Sequence, residues 1–218
     1  ASLNVSPVRV NLSGDHTKDV IQITNQEDSA KSYQVEVVAW SQTDEKPEVY
    51  SPTEDLLAVP PLFTLNPGEE QLVRVGMLSE ADASLERSYR MFVTELAPPE
   101  ADETASTGIT MRLKIGIPVF VAPLAEPTQS LEFVGSLSTG DQLFMQLRNS
   151  GNTHIKVTEI QYSAPGSTDK VVMPAANYIL AGKTGYLPVG MAGGDPRGTV
   201  SIVTDSQGTL EYELPFAP

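Results

Sequence analysis

Gly108-Ile-Thr-Met-Arg-Leu-Lys-Ile-Gly-Ile-Pro-Val-Phe-Val-Ala-Pro123 is the stretch on which the reading of this chain turns. Its odd positions, Ile109, Met111, Leu113, Ile115, Ile117, Val119 and Val121, are apolar, and its even positions open Thr110, Arg112, Lys114, Gly116, Pro118. Such period-2 alternation puts an apolar row on one face of a strand and the polar residues on the other. At about 3.3 Å per residue the run predicts a strand roughly 40 Å long, well beyond the usual five or six residues or so. A core needs only part of such a strand. An apolar end left without an internal partner is an aggregation hazard, so a chain that keeps one is expected to use it. Pro118, which cannot donate to a ladder, predicts that part of the strand lies at a sheet edge.

The same alternation recurs on both sides. Leu3 and Val5 change parity to Val8, Val10 and Leu12 across Ser6-Pro7, which predicts a kinked strand that passes from one sheet to another. Val20 to Ile23 reads as a short strand, and Tyr33, Val35, Val37 and Ala39 alternate up to Trp40. Asn66-Pro67-Gly68 has the residues of a type II turn. The strand from Gln71 to Met77 follows, and residues 79–85 are the one candidate helical turn. Tyr89, Met91 and Val93 alternate against Arg90, Phe92 and Thr94. The polar run Pro98 to Thr107 reads as a mobile loop that could mask the strand after it. Ala122-Pro-Leu-Ala-Glu-Pro127 reads as a linker, beyond which short strands restart between turn signals such as Asn149-Ser-Gly-Asn152 and Asp205-Ser-Gln-Gly208. Strands at this spacing with no helical period indicate an all-β chain of two sandwiches, residues 1–122 and 123–218.

Composition narrows the function. The 218 residues carry a net charge of −14, which argues against nucleic acid and anionic membrane surfaces as partners. No apolar run reaches the roughly 20 residues of a membrane span, so membrane insertion is not expected. There is no cysteine, hence neither a disulfide framework nor thiol chemistry. The chain opens Ala1-Ser2 without Met, as either a cleaved mature protein or a recombinantly expressed one would. The two histidines, His16 and His154, fall in different expected domains, each as a surface loop or strand-end residue, so the chain has no ordinary N/S ligand set for zinc or copper. Gly182-Lys183-Thr184 resembles the end of a phosphate loop, but position 177 is Asn, and Gly185 and Pro188 rule out the helix that must follow. Neither catalysis nor a cofactor is expected.

Several segments in order resemble the periplasmic PapD-like chaperones of the chaperone–usher pathway. They are Ser2-Leu3 through Arg9-Val-Asn-Leu-Ser-Gly14, Val59-Pro-Pro-Leu-Phe-Thr-Leu-Asn-Pro67, Arg74-Val75, Arg90-Met-Phe-Val-Thr-Glu-Leu-Ala-Pro-Pro99 and Val119-Phe-Val-Ala-Pro123. Asn149-Ser-Gly-Asn-Thr-His-Ile-Lys-Val157 is similar to a strand junction of the second domain. The resemblance implies two immunoglobulin-like β-sandwich domains in an L-shaped arrangement. It also implies a protein that lends its long strand to an incomplete pilus or fimbrial subunit and passes the subunit to an outer-membrane usher. This strand donation is itself a long-recognised instance of β-augmentation.

On this reading Ile109, Met111, Leu113 and Ile115 are the donated row. The family holds the subunit's terminal carboxylate with an Arg on the first strand and a Lys on the long strand. Arg9 falls at the Arg position, but the Lys position falls on Pro118, which leaves Arg90, Arg112 and Lys114 as substitutes and points to a divergent branch. The free protein could self-associate through the unpaired strand. The alternative reading is a structural or adhesive β-sandwich module of a surface fibre, which requires exposed aromatics. With aromatic content of 6% and its single Trp in what reads as core alternation, the chain disfavours it. A hydrolase or metalloenzyme on the same scaffold would need a constellation the sequence lacks.

Overall fold

The computed structural model describes residues 2–98, 111–139, 142–189 and 197–214. Within them the chain is all β: seventeen strands and no helix. It forms two compact units, the first from Ala1–Trp40, Tyr50–Ala83 and Arg87–Leu124, the second from Ser41–Val49, Ser84–Glu86 and Ala125–Pro218.

The strands of the first unit are β1 (Leu3–Ser6), β2 (Val10–Leu12), β3 (Lys18–Asn25), β4 (Lys31–Ser41), β5 (Val49–Pro52), β6 (Leu56–Val59), β7 (Leu62–Leu65), β8 (Glu70–Met77), β9 (Arg87–Glu95) and β10 (Lys114–Val121). They make two facing sheets. One is four-stranded in the order β1-β3-β8-β6; the other runs β2-β10-β9-β4-β5, with β7 also paired to β4. The parity flip at Ser6-Pro7 is where the chain leaves the first sheet for the second. The same crossing recurs between β6 and β7, across Val59-Pro60, and both X–Pro bonds are cis.

Alternation decides which side chains meet between the sheets. Ile21, Ile23, Val35, Val73, Val75, Met91, Val93, Ile117, Val119 and Val121 are buried in one cluster. Filling this cluster is the main stabilising contribution, since each such side chain is worth roughly 1.5–3 kcal/mol when buried. Residues 79–85 are not helical. Their neighbourhood is bonded to distant partners: Leu78 and Ser79 N–H donate to the Asp55 carbonyl, and Leu124 N–H to that of Asp82. These bonds replace the local ones a helical turn needs.

The second unit contains β11 (Leu131–Thr139), β12 (Gln142–Asn149), β13 (Ile155–Ser163), β14 (Val171–Ile179), β15 (Thr184–Pro188), β16 (Gly198–Thr204) and β17 (Thr209–Leu214). They form sheets β11-β12-β15 and β14-β13-β16-β17 around Met145, Leu147, Val157, Leu187, Val200 and Ile202.

Each unit closes one strand on a fully buried asparagine. Asn25 ends β3, and its Nδ2 donates to the Leu65 and Ser29 carbonyls at 2.9 and 3.0 Å while Oδ1 accepts from Glu27 N–H. Asn149 ends β12 in the same way, with Nδ2 to the Thr153 and Ile179 carbonyls at 2.8 and 3.0 Å and Oδ1 to Gly151 N–H. A glycine turn meets the backbone of each: Gly68 N–H donates to the Asn25 carbonyl and Gly182 N–H to that of Asn149. Both glycines have positive φ, 80° and 72°, a conformation that side chains with a Cβ resist. For Gly68 this is the turn expected of Asn66-Pro67-Gly68, closed by Glu69 N–H on the Asn66 carbonyl.

Candidate functional site

The long strand divides in two. In the described residues its ladder spans Lys114–Val121, shorter than the roughly 40 Å expected; 111–113 precede it without strand assignment, and Ile109 lies outside the described residues. Nearly all of the stretch 98–107, expected to be mobile, also lies outside them. Along the apolar row burial falls steadily away from the core. Ile117, Val119 and Val121 are buried, Ile115 packs partly buried at the core margin, Leu113 is half-buried, and Met111 is 80% exposed.

Backbone bonding explains where the strand begins. Glu95 N–H donates to the Leu113 carbonyl at 2.8 Å, and Leu113 N–H donates back to the Glu95 carboxylate at 3.3 Å. The other carboxylate oxygen pairs with Lys31 Nζ at 3.1 Å. Glu95 thus fastens the point at which the row leaves the sheet.

That contact also sets the phase. With Leu113 opposite Glu95 as a bonded pair, the odd residues of β10 bond to β9, and the backbone groups of 114, 116 and 118 point to the other edge. On that edge β2 pairs, in parallel, with Val119–Val121. Among the described residues no strand pairs with 114–118 there. Pro118 therefore puts its donor-less nitrogen on an open half-edge, as its chemistry requires. One strand is internal at one end and an edge at the other.

The face of this sheet turned away from the core carries the basic candidates. Arg90 is the cross-strand partner of Pro118. Arg9, one residue before the Val10–Val119 pair, stands level with Pro118 on its other side. Arg9 and Arg90 therefore flank the position at which the family resemblance expects the lysine, with their Cα atoms about 10 Å apart across two strand spacings.

One step along, Phe120 of β10 lies opposite the small Ser88 of β9, with Trp40 of β4 on the far side, and the two rings meet at 6.1 Å, tilted by 42°. The Arg90 guanidinium sits over the Trp40 ring at 4.1 Å and that of Arg9 over Phe120 at 5.9 Å. Trp40 does not belong to the core run expected of it: Val37 and Ala39 face the core, while Trp40 and Phe120 are buried on the opposite face, outside the core cluster.

In the other direction Lys114 Nζ lies over the Phe92 ring at 4.4 Å, and Phe92 meets Tyr50 edge-on at 5.1 Å. Gly116 makes room for both groups, because a Cβ there would come within 2.9 Å of the Phe92 ring and 3.2 Å of the Arg90 stem. The four basic candidates are thus sorted. Arg9 and Arg90 share one row, Lys114 is four residues along β10 from Pro118, and Arg112 is exposed beyond the end of the ladder. Neither Gly116, Ser88, Phe120 nor Trp40 stood out in the sequence as part of a site. Only cross-strand register assembles them.

Of the histidines, His16 is exposed beside Asp19. His154 is a strand-end residue as expected but not a surface one: its Nδ1 lies 2.7 Å from a Glu86 carboxylate oxygen, with its side chain 12% exposed. Among the described residues no group of three or more potential ligands is placed to hold a metal, and no helix is long and apolar enough to cross a membrane.

A family described as pili and flagellar-assembly chaperone, PapD N-terminal domain, matches residues 2–126, which span the whole of this site. The chain belongs to this family of pilus-assembly chaperones. Its fold is that of solved chaperones in this class. A chain of the CsuC–CsuE chaperone–tip adhesion subunit pre-assembly complex, from archaic chaperone–usher Csu pili of Acinetobacter baumannii, is 18% identical with a TM-score of 0.68, covering 98% of each chain. The Escherichia coli chaperone DraB is 19% identical with a TM-score of 0.63, over 99% of this chain and 98% of its own. A chain of the Salmonella enterica complex of SafA pilin with the SafB chaperone is 17% identical with a TM-score of 0.65, over 98% of this chain and 96% of its own. At these identities the likeness establishes the shared two-sandwich fold. No curated protein sequence matches.

Proposed function

We propose that this family member is a periplasmic, non-enzymatic, ATP-independent assembly chaperone. It caps a pilus or fimbrial subunit by donating the strand that begins at Ile109 and delivers it to an outer-membrane usher. Residues 1–122 form the binding domain and 123–218 the second domain. The observation that carries the reading is the division of one apolar row. Its far half fills the chaperone's own core, while Met111 and Leu113 remain available beside the open edge of β10. Open backbone groups and alternate apolar side chains are what β-augmentation uses. Arg9 and Arg90, flanking Pro118, are the proposed carboxylate anchor, with Lys114 further out along the same face and Arg112 beyond the end of the ladder. The solved CsuC–CsuE and SafA–SafB complexes are chaperone–subunit pairs on the same fold, which supports this assignment. The fibre-module alternative gains nothing, since among the described residues no aromatic side chain is exposed.

The test is co-expression with a candidate pilus subunit, followed by co-purification, with Met111→Asp/Leu113→Asp run in parallel. Burying the two side chains in a partner is worth about 3–6 kcal/mol, so the variant should bind roughly a hundred- to ten-thousand-fold more weakly. It should melt as the wild type does, because Met111 is exposed and Leu113 half-buried. Equal recovery of subunit by both proteins would sink strand donation by this row.

A further inference from the structure

We infer that Trp40 and Phe120 are positioning residues of the carboxylate site, an inference that rests on the anchor reading above. A lone guanidinium at the end of a flexible stem must be ordered when it binds. One stacked on an aromatic face is ordered beforehand, with its planar fork of N–H donors already set for bidentate pairing with a carboxylate.

Here both anchors have such a support. Arg90 lies 4.1 Å over Trp40 and Arg9 5.9 Å over Phe120, and the two rings pack against each other at 6.1 Å. The result is a continuous Arg–Phe–Trp–Arg cluster that spans β4, β9, β10 and the residue preceding β2. The rings are buried, to 5% and 1% exposure, but on the sheet face that carries no core, so filling the sandwich does not account for them. Phe120 and Trp40 meet because Ser88 of the strand between them is small. Because the rings touch each other, displacing one guanidinium disturbs the support of the other. The site is therefore built for a planar, bidentate anion at the end of an extended chain, and lysine is not an equivalent at position 90.

Trp40 is the sole tryptophan, so the intact protein carries its own reporter. The probe is a synthetic ten-residue peptide of alternating valine and serine with a free C-terminal carboxylate, compared with its C-terminal amide. Affinity is followed by polarisation of an N-terminal label, and site occupancy by Trp40 emission. The carboxylate peptide is expected to bind more tightly than the amide and to shift Trp40 emission. Trp40→Leu and Phe120→Leu should each weaken the carboxylate peptide roughly 3- to 30-fold, the range expected for a partly desolvated cation–π contact, and leave the amide unchanged. Trp40→Phe should recover most of the loss.

A Trp40→Leu protein that loses equally for both peptides gives the ring a structural role only and overturns the inference. So does full retention of the carboxylate preference in both leucine variants. In either case the anchor itself survives. A wild-type protein that does not distinguish the two peptides removes the anchor and this inference together.

Discussion

Replacing Asn149 with Ala should unfold the second unit at a markedly lower temperature. The side chain is completely buried and makes three hydrogen bonds at 2.8–3.0 Å, two donated to the carbonyls of Thr153 and Ile179 and one accepted from Gly151 N–H. Each bond is worth about 0.5–1.5 kcal/mol net, and a buried group left unmade costs about 1–3 kcal/mol. Carbonyls have a second lone pair and suffer less than the orphaned N–H, so the sum for the variant is about 2–4 kcal/mol. For a unit of this size that corresponds to a fall in Tm of roughly 10–25 °C. Asn149→Asp should be at least as damaging, since it presents an anion to two carbonyls in place of a donor.

The assay is thermal unfolding followed by far-UV circular dichroism and, separately, by Trp40 emission, which reports the first unit. Asn25→Ala serves as the internal comparison, because the equivalent cage in the first unit should bring down the Trp40-detected transition by a similar amount. Asn149→Ala within about 0.5 kcal/mol of wild type, the ordinary scatter of a surface substitution, would refute the claim that these cages close the strand ends.

Two further expectations concern the first unit. The Tyr89 hydroxyl donates to Asp55 at 2.7 Å, and this bond, ahead of those from Ser79 and Thr53, holds the Asp55 carboxyl below its ordinary value. A carboxyl depressed in the folded state stabilises the protein above its unfolded pKa of about 3.9, a contribution lost as pH falls through the folded value. Tyr89→Phe should therefore be less stable than wild type at pH 7, and urea midpoints should show the gap narrowing below about pH 4; a gap that is flat or widens with acid excludes this linkage. At Gly116 an added methyl would meet the Phe92 ring at 2.9 Å and the Arg90 stem at 3.2 Å, side chains that can move. Gly116→Ala should therefore fold with a loss of about 1–2 kcal/mol while changing Trp40 emission in the unliganded protein as Arg90 is displaced, whereas an unchanged spectrum would mean that Gly116 does not govern the Arg90 stack.

Much of the architecture was legible in the residues because strand faces are a local property. Side chains alternate by covalent geometry, so Tyr33-Val35-Val37-Ala39 and Ile117-Val119-Val121 declare their core face without reference to any partner. The parity change across Ser6-Pro7 announced a change of sheet for the same reason. Local chemistry also exposed Gly68 and its turn.

What it could not supply was adjacency. Residues 79–85 looked helical because the long-range bonds of this stretch, to Asp55 and from Leu124, leave no local trace. Trp40 looked like core because a run of four apolar residues hides which parity is which. The candidate site shows the limit most plainly. Arg9, Trp40, Arg90 and Phe120 are separated by 31, 50 and 30 positions in the chain, and nothing in their spacing brings them together. Their meeting depends on β10 lying parallel to β2 and antiparallel to β9 in one register. A slip of one residue would turn every side chain to the other face. Residue alternation alone marked an apolar row from Ile109 to Val121 that is longer than one core needs. That the ladder's edge opens at Pro118 between Arg9 and Arg90 came from strand pairing, which is set by the packing of residues far apart in the chain.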